Sequence, residues 1–179
     1  MCRHIAGVRR LFVESLKKGG TGSTKAVKPG STVPVQKPSE PVDLLAEAVR
    51  RIDEKQYAGA EAILNQMLTR EPGNPQVCQL LARLHLQRGD VQVALGEYRF
   101  LAGAALRAHD LTLAESLIQE FLSADPNSVP LLELNGELLE EKGDGGGAAI
   151  QYAKAIELLL EHPEPGMESL HEELFEKVR

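Results

Sequence analysis

A chain of 179 residues, 42% of them hydrophobic, has the length of about one domain and the apolar content of an ordinary packed core. With four Phe, three Tyr and no Trp, that core must be filled mainly by Leu and Ala, as in helices packed closely on helices. The net charge of −6 divides unevenly: residues 1–40 carry eight Lys or Arg against two acids, residues 41–179 carry twelve against twenty-four, and an acidic body excludes the clustered basic face of a phosphate-backbone binder, so nucleic acid is not an expected partner.

The first stretch, MCRHIAGVRRLFVESLKK, places Ile5, Val8, Phe12 and Leu16 at helical spacing among basic residues. That pattern fits a membrane-surface segment or an organellar targeting peptide. Glu14 and the modest Ser content weaken targeting, so a disordered tail is expected and membrane contact through it is the less favoured reading. Residues 19–41 follow, rich in Gly, Ser, Thr and Pro without apolar periodicity. Such a segment buries too little surface to offset its ordering entropy and reads as a flexible linker. The tail and linker therefore occupy residues 1–40 and are expected to be dispensable for folding. No stretch reaches the roughly 18 apolar residues of a membrane span. Cys2 and Cys78 do not build a disulfide framework; read as reduced thiols they are compatible with a reducing compartment, and a cytoplasmic location is expected.

Helical patterns then run to the end. In 43–54, Leu45, Ala48, Val49 and Ile52 form an apolar stripe, although the strict repeat register would use Glu47 and Arg51. Asn74-Pro75 opens a helix over 75–88 that should bury Val77, Leu80, Leu81 and Leu84. Its small Ala82 has a counterpart in Gly136 on the helix 129–141. Gly89-Asp90, His109-Asp110 and Gly143-Asp144 each read as a turn ending in an N-capping aspartate. Glu71-Pro72 and Asp125-Pro126 stop the helices before them.

The most specific signal is a spacing. Ala60 and Ala94 are 34 residues apart, as are Ala114 and Ala148. Each is followed at +4 by Leu64, Tyr98, Ile118 or Tyr152, and at +7 by Met67, Leu101, Phe121 or Ala155. A small residue with two apolar ones at i, i+4 and i+7 is one face of a helix, the small one admitting a neighbour and the large ones filling the space beside it.

This 34-residue helical hairpin resembles the tetratricopeptide repeat over about residues 43–162. The resemblance implies an all-α fold: a helical-hairpin solenoid over 41–162, with repeats near 41–74, 75–108, 95–128 and 129–162, and a C-terminal capping helix within 163–179. The second and third repeats overlap because Ala94 and Ala114 are only 20 residues apart. Residues 91–107 must then act as second helix of one hairpin and, through Tyr98, Leu101, Ala102 and Ala105, as first helix of the next. A dislocation of the array is expected there. The capping helix, 167–178, should turn Met167, Leu170, Leu174 and Val178 inward.

In this family the first helix of each hairpin lines a concave groove. By that resemblance Gln76, Gln79, Arg83 and Gln87 fall on one such face, Arg99 and Arg107 can fall on the next, and Glu133, Glu137, Glu140 and Glu141 form an acidic side on 129–141. These are the candidate partner-binding residues, the acidic ones suited to Lys or Arg of a partner peptide. The Lys and Asn set with which family members hold a C-terminal carboxylate is not recognisable. The expected function is a protein-interaction adaptor or scaffold binding a protein or peptide, with a basic segment as one form of it; the alternative is a self-associating or permanently docked subunit. No enzyme activity and no cofactor are expected. The five His lack metal-ligand spacing and read as surface or turn residues, Cys78 reads as a small buried hydrophobe, and Gly143-Asp144-Gly145-Gly146-Gly147 lacks the Lys-Ser/Thr of a phosphate loop.

Overall fold

A computed structural model describes residues 41–162 and 169–178. The tail and linker 1–40, the Pro163–Gly166 break and Met167 lie outside the described residues. Among the described residues there are eight helices: α1 Pro41–Asp53, α2 Tyr57–Arg70, α3 Pro75–Arg88, α4 Val91–Arg107, α5 Leu111–Ala124, α6 Val129–Glu141, α7 Gly145–Glu161 and α8 Leu170–Val178. The described residues are all-α, as expected, and divide between Leu84 and His85 into two compact units.

In the first unit, α1, α2 and α3 as far as Leu84 enclose Ala48, Ile52, Ala60, Leu64, Val77 and Leu84, with Leu45, Met67, Leu80 and Leu81 packed at the margin. The shifted stripe on α1 is therefore the one that turns inward. Glu47 and Arg51, at the positions a strict repeat would make apolar, satisfy each other: Arg51 Nε donates to Glu47 Oε1 at 2.7 Å, and Arg50 Nη2 reaches Glu47 Oε2 at 2.7 Å. Those two guanidinium groups, Arg51 first, hold the Glu47 carboxyl below its usual range. Arg51 also lies against α2 at Gly59, where a Cβ would meet its side chain.

In the second unit, Leu101 to Leu106 of α4 are all buried, an unbroken run that no one-sided helix shows. The cause is its double packing, on α5 and on α6. Tyr98 meets Phe121 of α5 with ring centroids 5.4 Å apart and tilted by 56°, a geometry worth about 0.5–1.5 kcal/mol beyond the area buried. Leu132 of α6, Ala148, Tyr152, Ala155, Ile156 and Leu159 of α7, and Leu174 of α8 close the far end as one cluster. The expected alanines at 60, 94, 114 and 148 and their +4 partners at 64, 98, 118 and 152 are all at most 2% exposed.

The turns show why particular residues stand where they do. Asp110 Oδ1 accepts from Leu113 N at 3.1 Å and Asp144 Oδ1 from Gly147 N at 2.9 Å, so two expected N-caps form. Asp90 departs from the expectation: its side chain makes no cap bond to α4 and pairs instead with Arg88, the cation just before it. Gly89 and Gly143 take positive φ, 91° and 79°, after α3 and α6. After α1 the turn lacks a glycine and Lys55 takes φ 59° itself, which lets Gln56 N reach Arg51 O at 2.7 Å. A side chain in that left-handed conformation costs about 1–2 kcal/mol. Lys55 is exposed, so Lys55→Gly should stabilise the first unit by about 0.5–1 kcal/mol, the extra unfolded-state entropy of Gly offsetting part of the relief. Urea unfolding midpoints of the two proteins measure it, and a lower midpoint for the variant would exclude this account of the turn.

Candidate partner-binding site

Helix α6 starts behind Ser128, with Pro130 in its first turn, where a missing N–H is tolerated. Leu131, Leu132, Asn135, Gly136 and Leu138 are its buried face. The 3.6-residue period then leaves Glu133, Glu137, Glu140 and Glu141 on the other side, the first two half-buried and the last two exposed. Glu137, Glu140 and Glu141, together with Leu106, Arg107 and His109 from the end of α4 and Lys177 from α8, line an open hollow of about 660 Å³.

The cap helix supplies a cation to this acidic side. Lys177 Nζ donates to Glu137 Oε1 at 2.9 Å and to Glu133 Oε1 at 3.2 Å, and lies 5.4 Å from the centroid of the Tyr152 ring, whose π face favours an ammonium. Partial burial pulls Lys177 down, but the bonds to Glu137 and Glu133 outweigh it and the net shift is upward. Burial pushes the Tyr152 phenol well up, and the charges of Glu140, Glu137 and Glu133 push it further. His109 Nδ1 stands 3.5 Å from Glu141 Oε2. The hollow is thus an open, charged surface that can hold ammonium or guanidinium groups.

The polar residues of α3 are not gathered in the same way. Gln76 borders a different hollow, in the first unit, of about 320 Å³, with Leu44, Leu45, Met67, Arg70, Glu71 and Asn74. Asn74 Oδ1 caps α3 by accepting from Gln76 N at 3.1 Å. Gln79 and Arg83 are half-buried farther along the helix, and Gln87 is exposed in the second unit. Of the two arginines read beside them, Arg107 joins the acidic hollow. His109 and Lys177 were not legible as site residues. Lys177 had one signal, as a lone cation in an acidic last helix; His109 read only as a turn.

One histidine corrects the reading of all five as surface or turn residues. His85 is 7% exposed and its Nδ1 lies 2.7 Å from Glu97 Oε2 on α4, because the pitch of α3 turns it toward that helix. Cys78 is half-buried rather than fully buried. Among the described residues no three His, Cys, Asp or Glu come together as a metal-holding group, and no helix is long and apolar enough to cross a membrane.

Residues 51–97, from the end of α1 into α4, match the family described as tetratricopeptide repeat. That segment of the chain carries a tetratricopeptide-repeat match. The matched repeat is a protein-interaction type of fold. No curated protein matches this repeat protein significantly. Among solved structures it is similar to a chain of the "Crystal structure of APC/C hetero-tetramer Cut9-Hcn1", at 14% identity and a TM-score of 0.42, over 98% of its own length. It spans about a third of that longer chain, 33%.

Proposed function

We propose that this repeat protein is an interaction adaptor whose acidic hollow on α6 takes a Lys- or Arg-bearing segment of a partner protein. The observation that carries the reading is Lys177, an ammonium already seated between Glu133 and Glu137 over an aromatic ring. A partner cation would find further carboxylate acceptors beside that pair, at Glu140 and Glu141, which are open to solvent. Charge complementarity of this kind sets specificity and association rate more than raw affinity.

Glu137→Gln with Glu141→Gln tests it. The double change removes charge at nearly constant volume and helix propensity, so stability should fall by no more than about 1 kcal/mol, the worth of the exposed Glu137–Lys177 pair it breaks. Each exposed ion pair is worth up to about 1 kcal/mol, so binding of a lysine-rich peptide should weaken about 3- to 10-fold at low salt, and less at moderate salt where screening has already removed part of the attraction. Titration of both proteins against that peptide gives the numbers. Equal affinity at both salts would make the glutamates an ordinary solvated face.

A further inference from the structure

The last two helices carry a second surface, of different chemistry. Ala153, Ile156 and Leu160 of α7 and Phe175 of α8 line an open hollow of about 430 Å³ whose remaining walls are Glu157 and Glu161. Leu160 is 61% exposed and Phe175 49%. Their neighbours in sequence behave differently: Leu159 and Leu174 are buried in the core cluster, so the α7–α8 pair is already stable through one face and shows a second apolar face outward. Single exposed apolar residues are ordinary, whereas several sharing one concave site mark a contact surface. The Phe175 ring lies edge-on to His171, with centroids 6.4 Å apart.

The charged residues lining the hollow are both carboxylates. They select the partner. A purely apolar segment would bury beside Glu157 and Glu161 with no compensation, and an acidic one would be repelled. A helix with apolar residues at i, i+3 or i+4 and i+7, flanked by Lys or Arg, would fill the floor and pair with the rim at once. We propose that the α7–α8 hollow docks an amphipathic helix of a partner protein, its apolar stripe on Leu160 and Phe175 over the buried Ile156 and its flanking bases on Glu157 and Glu161. This goes beyond the acidic hollow on α6, and the sign of the partner's charge is set here by Glu157 and Glu161 themselves. The two hollows use opposite sides of α8, through Phe175 and Lys177, residues about 200° apart on a helix. One partner could therefore hold the cap helix from both sides.

The test uses the full chain and, as probe, a synthetic Leu/Lys amphipathic helix of about 14 residues, four turns, with a scrambled peptide of the same composition as reference. Leu160→Ser and Phe175→Ser change exposed side chains, so the helical signal should be unaltered, and circular dichroism checks it. Binding of the amphipathic probe should exceed that of the scrambled one and fall at least about tenfold in the double Ser variant, the scale expected when two apolar anchors lose their contact. Glu157→Gln with Glu161→Gln should weaken binding and flatten its salt dependence. Equal binding of both peptides, or no change in the double Ser variant, would overturn the proposal. If binding instead follows Glu137 and Glu141 alone, the acidic hollow on α6 stands and this inference falls. Light scattering that shows association of the chain with itself, abolished by Leu160→Ser, would assign the hollow to a second copy and also overturn it.

Discussion

Gly136→Ala should lower the stability of the second unit by about 2–3 kcal/mol, the upper part of the range for overpacked cores. The added methyl would stand 2.6 and 2.7 Å from Tyr152 Cζ and Cδ1 and closer still to Cε1. It therefore meets a rigid ring and not the yielding end of a flexible chain. Tyr152 is fully buried in the cluster that joins α6, α7 and α8, so the ring cannot swing aside without disturbing Leu132, Ile156 and Leu174. Ordinarily Gly to Ala inside a helix gains about 0.5–1 kcal/mol, and this chain offers the control. Gly96, inside α4, has nothing within 4 Å of where a Cβ would stand. Gly96→Ala should raise the urea midpoint while Gly136→Ala lowers it. Two shifts of the same sign would show that α6 and α7 are not packed this closely.

Ala94→Leu is the second large effect. Ala94 is 0% exposed and stands one turn before Tyr98, itself 0% exposed, so three added heavy atoms have no space and should cost about 1–3 kcal/mol. Ala58, on the first turn of α2, is exposed, and Ala58→Leu should stay within about 0.5 kcal/mol of the parent. Urea unfolding of both variants decides it; equal midpoints would remove the physical basis of the 34-residue alanine register.

What was legible in the chain was whatever a short period encodes. The alanine register at 60, 94, 114 and 148 is a local statement: a small residue at one point of a helical face and large ones at +4 and +7. Since a helix has only one way to present such a face, the alanines and their +4 partners are all buried, as are Leu101, Phe121 and Ala155 at +7, with Met67 at the margin. The caps at Asp110 and Asp144 were legible for the same reason, being bonds across three residues. So was the shifted stripe on α1, read from Leu45, Ala48, Val49 and Ile52 alone.

Other features depend on partners far along the chain, and no period carries them. Asp90 was a sound N-cap by its position, but the side chain had two uses, and the nearby Arg88 guanidinium took it. His85 looked like any scattered histidine until α3 and α4 set it 2.7 Å from Glu97. The acidic row on α6 was visible as charge at helical spacing, yet its electrostatics are set by Lys177, 40 residues beyond Glu137 in sequence. The helical repeat itself, its alanine face and its turns were determined by the sequence through contacts within one or two turns of helix. Which acids are neutralised, which apolar side chains of α7 and α8 stay outside, and where a partner can be held were decided only when α8 folded back on α7, because a charge or an apolar surface is defined by what it meets in space.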